Sequence, residues 1–565
     1  MAGTKIVVVG GVAAGPKAAA RARRLDPRAE ITILERGEYT SYSACGLPYL
    51  ISGETPDLKA LLATPVGVVR DANFFKAVKD IRLLTGKEVT AIDRGQKQVQ
   101  VTDLASGSRE TYPYDKLVVA TGATPVRPKI PGIDLKNIFL VRQPQDGLAI
   151  MAALEQHKPR RAVIIGAGGI GMELVGALVQ RGLEVTLVEA LEQVMPGVLD
   201  VEMAAILRRY VESGGVKVRT GERAASFASR DDGQVALVHT DRGEYPADLV
   251  IVAIGVRPNV ELARAAGLTI GATGAIAVDE KLRTSDPDIY AGGDCIENFH
   301  RLLKKPVIFS SGQLANIHGR IIGTNLAGGQ ATFKGIVGTG IAKVFDYTVG
   351  ATGLTEAAAR REGFTDLVTA LVPALDHAHY YPGAKFVGLK LVVEKPTGRL
   401  LGVQVVGPGE GAKRLDVAAT AIALGADVIS LTQLNLGYSP PYNVAIDALV
   451  NAAQVVENKL TGVAQAISPL EVEKLTEQGE DFMLLDVRTP AEIQEVRLKH
   501  PKSFAMPLGK LREKAAQLPK DKLYIPFCKF SMRGYEAQKI LESQGFKNVK
   551  FMDGGLVHWP YELEE

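Results

Sequence analysis

The feature that most constrains this chain is a strand, turn, helix and strand plan written twice. At 160–190, RRAVIIGAGGIGMELVGALVQRGLEVTLVEA runs an apolar strand into Gly166, Gly168 and Gly171 at G-x-G-x-x-G spacing, then a helix, then a second strand closed by Glu189. From residue 5, KIVVVGGVAAGPKAAARARR and ITILE repeat the plan, with Gly10 and Gly15 outermost, Val12 at the central position and Glu35 closing the second strand. This spacing suits dinucleotides: glycines let the backbone approach a pyrophosphate, the helix N-terminus offers free N–H groups and a positive dipole, and the acid accepts from a ribose hydroxyl. Two such units predict an α/β chain with two nucleotide sites. Glu189 has no Arg among the next several residues, which favours NADH over NADPH because a carboxylate repels a 2′-phosphate.

A chain of 565 residues exceeds one core and predicts several domains. Lys plus Arg at 66 nearly balance Asp plus Glu at 63, so no net field draws the chain to nucleic acid or an anionic membrane, and neither is expected as a partner. No apolar run is long enough to span a bilayer, and MAGTKIVVVGG lacks a secretory pattern, so a cytoplasmic location is expected. The three cysteines, Cys45, Cys295 and Cys528, form neither a disulfide framework nor a metal-ligand spacing, and no metal is expected.

Two further segments, KLVVATGATP at 116–125 and TSDPDIYAGGDC at 284–295, resemble the elements that complete the FAD domain of flavoproteins with two dinucleotide sites. With SYSACGLPYL at 41–50, residues 1–455 resemble the pyridine nucleotide–disulfide oxidoreductases, in the single-cysteine branch that contains coenzyme A-disulfide reductases, NADH oxidases and NADH peroxidases. The resemblance implies two nested dinucleotide-binding domains, FAD in 1–145 with 256–330 and NADH in 146–255, then an α+β dimerisation domain at 331–455 and a homodimer. It implies FAD contacts from Gly10, Gly11, Ala13, Ala14, Gly15, Glu35, Arg36, Thr121, Gly122 and Asp294. It also makes Cys45 the redox cysteine beside the flavin. A helix start and an oxidised flavin are both expected to favour its thiolate. No second cysteine follows at short spacing, so the partner sulfur must come from the substrate.

Lys17, Arg21 and Arg24 recur at i, i+4 and i+7, one face of the first helix, where they can converge on a polyanion. In the coenzyme A-disulfide reductases these positions, with Ser41 and Ala44, line the coenzyme A pocket, and Lys79 and Asn316 fall where family substrate contacts lie. Ala13 stands where the peroxidases and oxidases carry a His, which argues against peroxide chemistry. A leaving thiolate needs a proton. Tyr438 in GYSPPYN and Tyr380 in HAHYYPG match family positions for that donor, with Tyr381 and Tyr442 close by in sequence.

After a linker at 456–466 the sequence restarts, and 467–565 shows its own αβ alternation in FMLLDVR, LYIPFC and NVKFMDGG. It resembles a rhodanese-like α/β domain, DVRTPAEI matching the D-x-R segment and CKFSMR the active-site loop. Cys528 ends a strand, and Lys529, Phe530, Ser531, Met532 and Arg533 turn into a helix, so successive N–H groups can wrap a persulfide. The C-x4-R spacing is one residue short of a phosphatase cradle.

Together these features predict a reductase that takes electrons from NADH through FAD to Cys45 and reduces coenzyme A persulfide, polysulfide or coenzyme A disulfide, while Cys528 carries sulfane sulfur and coenzyme A acts as substrate or bound carrier. The rivals are an NADH oxidase or peroxidase and a non-catalytic redox or sulfur-carrier sensor.

Overall fold

The computed structural model describes residues 3–564. The chain divides into two compact units: one holds the chain through Val188 together with Arg223–Ile336, the other Glu189–Glu222 together with Val337 onward.

The first unit contains a five-stranded parallel sheet in the order Ile289–Ala291, Lys116–Val119, Lys5–Val9, Glu30–Leu34 and Arg82–Leu84. Its central strands read as nearly unbroken β-branched and aliphatic runs because both faces are covered. Val8, Ile33 and Val118 are fully buried, and Ala18 and Ala22 of the helix Ala14–Leu25 join Ile322 of the helix Gly312–Leu326 in the same core. Cys295 lies in this core with its sulfur near the carbonyls of Val119 and Gly292, a structural thiol. In a second parallel sheet Arg161–Ile165 is flanked by Glu184–Val188 and Leu249–Val252, with Ile138–Leu140 beyond. Both sheets place the glycine turn after the central strand and the helix on one face, as the repeated sequence plan requires.

The second unit is built on a five-stranded antiparallel sheet in the order Gly340–Val344, Tyr347–Gly353, Leu400–Gly407, Phe386–Glu394 and Leu367–Leu375. Helices Ala412–Leu424, Ala448–Leu460 and Val201–Ser213 pack against it. Inside this packing lies Lys390, 1 % exposed, its Nζ 2.9 Å from Glu356, 3.1 Å from Glu202 and 3.3 Å from Asp200. Burial opposes its charge, but the three carboxylates outweigh that and raise its pKa.

Residues 456–466 do not form a separate stretch: the helix Ala448–Leu460 runs on through 456–460, and Ala466 already pairs with Phe551. Beyond them a three-stranded parallel sheet, Ser503–Ala505, Phe482–Asp486 and Leu523–Phe527, has alternate residues in two separate cores. Leu484, Ile525 and Phe527 face one, Leu485, Tyr524 and Cys528 the other. Pro526 sits in the edge strand of that sheet, opposite Leu485, and edge placement is where a residue without an N–H is tolerated.

Candidate active sites

In the first glycine turn Gly10 has φ +113° and in the second Gly166 has φ +105°, backbone that other residues rarely adopt. A side chain at either would also strike a carbonyl, of Ala120 or Ala253. A Cβ at Gly168 would meet open space, which leaves that backbone approachable. Ala13 precedes the helix that begins Ala14, Gly15. Glu35 holds the first turn: its two carboxylate oxygens accept from Gly11 N and Gly37 N, each at 2.6 Å, while neighbouring Arg36 pairs with Glu88. Gly171 lies in the first turn of the helix Gly169–Gln180, and Glu189 follows the strand Glu184–Val188, its Oε1 accepting from Leu191 N at 2.9 Å. Thr121 and Gly122 are tied to Asn259, whose N–H donates to Gly122 O at 2.9 Å and whose side-chain amide donates to Thr121 O at 2.8 Å. These turns, with their open glycines and acids, fit two dinucleotides.

Ser41 hydrogen-bonds Gly11 O through its N–H, at 2.9 Å, so the Cys45 segment is pinned to the first turn. Ala44 and Cys45 lie in the short 3-10 turn Ala44–Gly46, ahead of the helix Leu47–Ser52. Cys45 is exposed as a residue, yet its thiol is hemmed in enough that desolvation is the largest influence and pushes its pKa above the ordinary value. Glu173 pushes the same way and Arg142 opposes. For the protein's own groups the balance runs against the thiolate that a helix start favours: the following helix has only six residues, and desolvation and the charge of Glu173 outweigh Arg142. Glu173 in turn accepts from the Tyr49 hydroxyl at 3.4 Å. Asp294 pairs with Arg142 at 2.5 Å and accepts from Ser311 N at 3.2 Å.

Arg142 and Glu173 were not singled out from sequence. Arg142 stands in VRQPQD with no motif around it, whereas Glu173, one turn into the second glycine helix, could have been found as an acid on the helix that carries the fingerprint.

Lys17 and Arg21 lie on the side of the first helix that meets Gly319 and Gly323, and Arg21 Nε donates to Thr324 at 3.2 Å. Asn316, one turn earlier on that second helix, donates to Gly312 O at 2.8 Å. Arg24 is exposed. Arg23, off the stripe, is occupied in structure, donating to Pro27 O and Asp80 O at 2.7 Å. That bond brings the end of the helix Ala72–Lys79 to the first helix, and Lys79 itself lies over the Phe74 ring.

In the second unit Tyr380 and Tyr438 form a hydrogen-bonded pair that raises the Tyr380 pKa. They are 66 % and 53 % exposed. Their two loops are joined by Ala378 N donating to Pro440 O at 3.2 Å. Tyr381 instead lies against His377.

Cys528, 2 % exposed, lies one residue past the end of the strand Leu523–Phe527 rather than closing it, and the helix Met532–Ser543 begins four residues later. Ser531 turns the loop with φ +82°, and its hydroxyl is buried without a partner. Lys529 and Met532 are exposed and Phe530 half-buried. Arg533 hydrogen-bonds the Cys528 sulfur and both oxygens of Glu492. Asp486 and Arg488 of the D-x-R segment form a buried ion pair at 2.7 Å, and Arg488 donates on to Glu492 O at 3.1 Å. The acid that completes this chain, Glu492, was missed because its role depends on a contact 41 residues away.

Among the described residues no group of three or more His, Cys, Asp or Glu stands where it could hold a metal, and no helix is long and apolar enough to cross a membrane.

Residues 4–319 match the family model for pyridine nucleotide-disulphide oxidoreductases, 340–450 the dimerisation domain of that family, and 468–561 a rhodanese-like domain. The NAD(P)H sulfur oxidoreductase (CoA-dependent) of Pyrococcus furiosus is 38 % identical over 453 residues, covering 80 % of this chain and 99 % of that one. Among solved structures, an NAD-dependent persulfide reductase from A. fulgidus is 42 % identical with a TM-score of 0.93, covering 98 % of this chain and 100 % of that one. The reduced CoADR-RHD of Bacillus anthracis is 36 % identical with a TM-score of 0.92, covering 99 % and 98 %. With both glycine turns, the antiparallel sheet domain and the cysteine loop in place, the chain belongs to the pyridine nucleotide-disulphide oxidoreductases and carries a rhodanese-like domain at its C-terminal end.

Proposed function

We propose that this chain is an NADH-dependent flavoenzyme of the cytoplasm, a homodimer that reduces coenzyme A persulfide, polysulfide or coenzyme A disulfide. The observation that carries this reading is the presence on one chain of two differently placed thiols. Cys45 is exposed and pinned to a dinucleotide turn, while Cys528 is enclosed in a loop with an arginine on its sulfur.

The turn Gly10–Gly15, Glu35 and Asp294 would hold FAD, which when bound would supply the two-electron exchange between NADH and Cys45. NADH is held by the turn Gly166–Gly171 and Glu189. Lys17, Arg21 and Arg24, with Lys79 and Asn316, bind the phosphates and adenosine of coenzyme A, and Ser41 and Ala44 flank its thiol end. Cys45 as thiolate attacks the coenzyme A-bearing sulfur of the substrate. A Cys45–S–S–coenzyme A disulfide forms, and hydrosulfide leaves from a persulfide or coenzyme A thiolate from a disulfide. Tyr438 or Tyr380 supplies the proton to the leaving sulfur. Two electrons from NADH then cleave the mixed disulfide, returning coenzyme A thiol and the Cys45 thiolate. Cys528 accepts sulfane sulfur and passes it to coenzyme A.

The test is anaerobic NADH oxidation by the purified yellow protein with coenzyme A disulfide and coenzyme A persulfide compared, and hydrosulfide quantified. Faster persulfide turnover with stoichiometric hydrosulfide supports the combined reading. Turnover of the disulfide alone would remove Cys528 from it, and oxygen-dependent NADH oxidation without either substrate would favour an oxidase.

A further inference from the structure

The cysteine loop is braced from outside its own domain. Cys528 O accepts from Leu556 N at 3.0 Å and Lys529 O from Val557 N at 3.2 Å, so the turn Gly555–His558 forms the floor of the loop. That turn is in turn held by Arg209 of the helix Val201–Ser213, which donates to Val557 O at 2.8 Å and Trp559 O at 2.5 Å. His558 is buried against the antiparallel sheet: a Cβ at Gly388 would lie 3.2 Å from its Nε2. On the other flank Phe530 of the loop stacks on Phe386, the first residue of the strand Phe386–Glu394, with ring centroids 4.8 Å apart and planes 21° from parallel. A third tie is the ion pair of Lys459 with Asp553 at 2.6 Å, and Asp553 also accepts from Leu371 N at 3.1 Å.

We propose that Arg209 and Phe386 are positioning residues for sulfur transfer at Cys528, holding the loop in its working shape from the domain on which it is docked. The proposal rests on the sulfur-carrier reading of Cys528 given above. Its physical basis is that Ser531 sits in the left-handed region without being glycine, and such a residue persists only where its surroundings over-determine it. The loop's own helix supplies one end of that constraint, and the Arg209-held turn and the Phe386 ring supply the others. The step served is an exchange: the coenzyme A thiolate bonds to the outer sulfur of the Cys528 persulfide, the S–S bond breaks, and Cys528 leaves as thiolate with the bonding pair. Attack in line with that bond needs the outer sulfur held in one place, and small misplacement of a reacting atom lowers rate steeply.

The experiment uses the full-length FAD-bound enzyme as wild type, Phe386→Ala, Arg209→Met and Phe386→Tyr. Three readouts are taken: NADH oxidation with coenzyme A disulfide, NADH oxidation with polysulfide at varied coenzyme A, and thiocyanate released by cyanide from polysulfide-loaded Cys528. Phe386→Ala and Arg209→Met are expected to keep wild-type coenzyme A-disulfide reduction. Both should lose about tenfold or more in thiocyanate release and in kcat with polysulfide at unchanged KM for NADH, and Phe386→Tyr should restore both. Wild-type sulfur loading in the two variants would overturn the proposal, as would equal loss in Phe386→Tyr or a parallel loss of coenzyme A-disulfide reduction. A wild-type enzyme that reduces no coenzyme A-linked sulfur would sink the proposed function alone, because thiocyanate release needs only Cys528 and still decides the positioning role.

Discussion

Arg533 donates to both carboxylate oxygens of Glu492, at 2.8 and 2.6 Å, and the same guanidinium reaches the sulfur of Cys528. A fork-to-fork pair fixes the plane of the arginine, and here that plane sets where a positive charge stands relative to the Cys528 sulfur. Arg533 pulls the Glu492 pKa down to about 2 from an ordinary value of 4.5. A depressed carboxylate contributes stability that is present above its unfolded pKa and lost as the pH falls through its folded one.

The Glu492→Gln variant is therefore expected to be less stable than wild type by about 1 kcal/mol at pH 7, with the difference closing between pH 4.5 and about 2. Thermal melts of both proteins across that range measure it. A gap that widens on acidification would contradict the pairing.

Cys45→Ser should abolish NADH-driven reduction of both coenzyme A disulfide and persulfide, since the chain offers no other exposed cysteine. Cys528→Ser should leave coenzyme A-disulfide reduction intact and impair persulfide or polysulfide reduction. Steady-state assays on the two substrates separate these outcomes, and equal loss of both activities in Cys528→Ser would refute the division of labour.

Glu173→Gln removes a negative charge that, after desolvation, is the main influence raising the Cys45 thiol. Its pKa should fall, so the rise in iodoacetamide alkylation of Cys45 with pH should move to lower pH. Arg142→Met should move the same profile to higher pH, because Arg142 favours the thiolate. Unchanged profiles in both variants would show that neither charge reaches the sulfur.

Lys390→Met should destabilise the second unit by about 3–5 kcal/mol, since removing one partner of a buried ion cluster leaves its carboxylates uncompensated. Asp200, Glu202 and Glu356 would then share the space without a cation. Denaturant titration at pH 7 reads the loss, and lowering the pH should narrow it as the carboxylates protonate.

Much of this chain can be read from its residues in order. Gly10 to Glu35 and Gly166 to Glu189 are local patterns, because a phosphate-binding turn needs its glycines, helix start and acid within one βαβ unit. The Cys528 loop is equally local: strand, short turn and helix are contiguous, so Arg533 at C-x4-R spacing could be assigned to the cysteine by counting. Cys295, which ends the segment TSDPDIYAGGDC, lies in the core of the first sheet. What sequence order could not supply are pairs set by packing. Arg142 meets Asp294 across 152 residues, Glu173 meets Tyr49 across 124, and Arg209 grips Val557 across 348. The sign of the Cys45 shift followed the same rule: a short helix start is a local feature that suggests thiolate, but desolvation and the charge of Glu173 come from elements distant in the chain, and they outweigh it. Sequence by itself determined which chemistry the chain carries, because backbone turns and nucleophiles are specified by neighbours along the chain. Only the tertiary structure decided how each thiol is tuned and held, because burial and charge act through space.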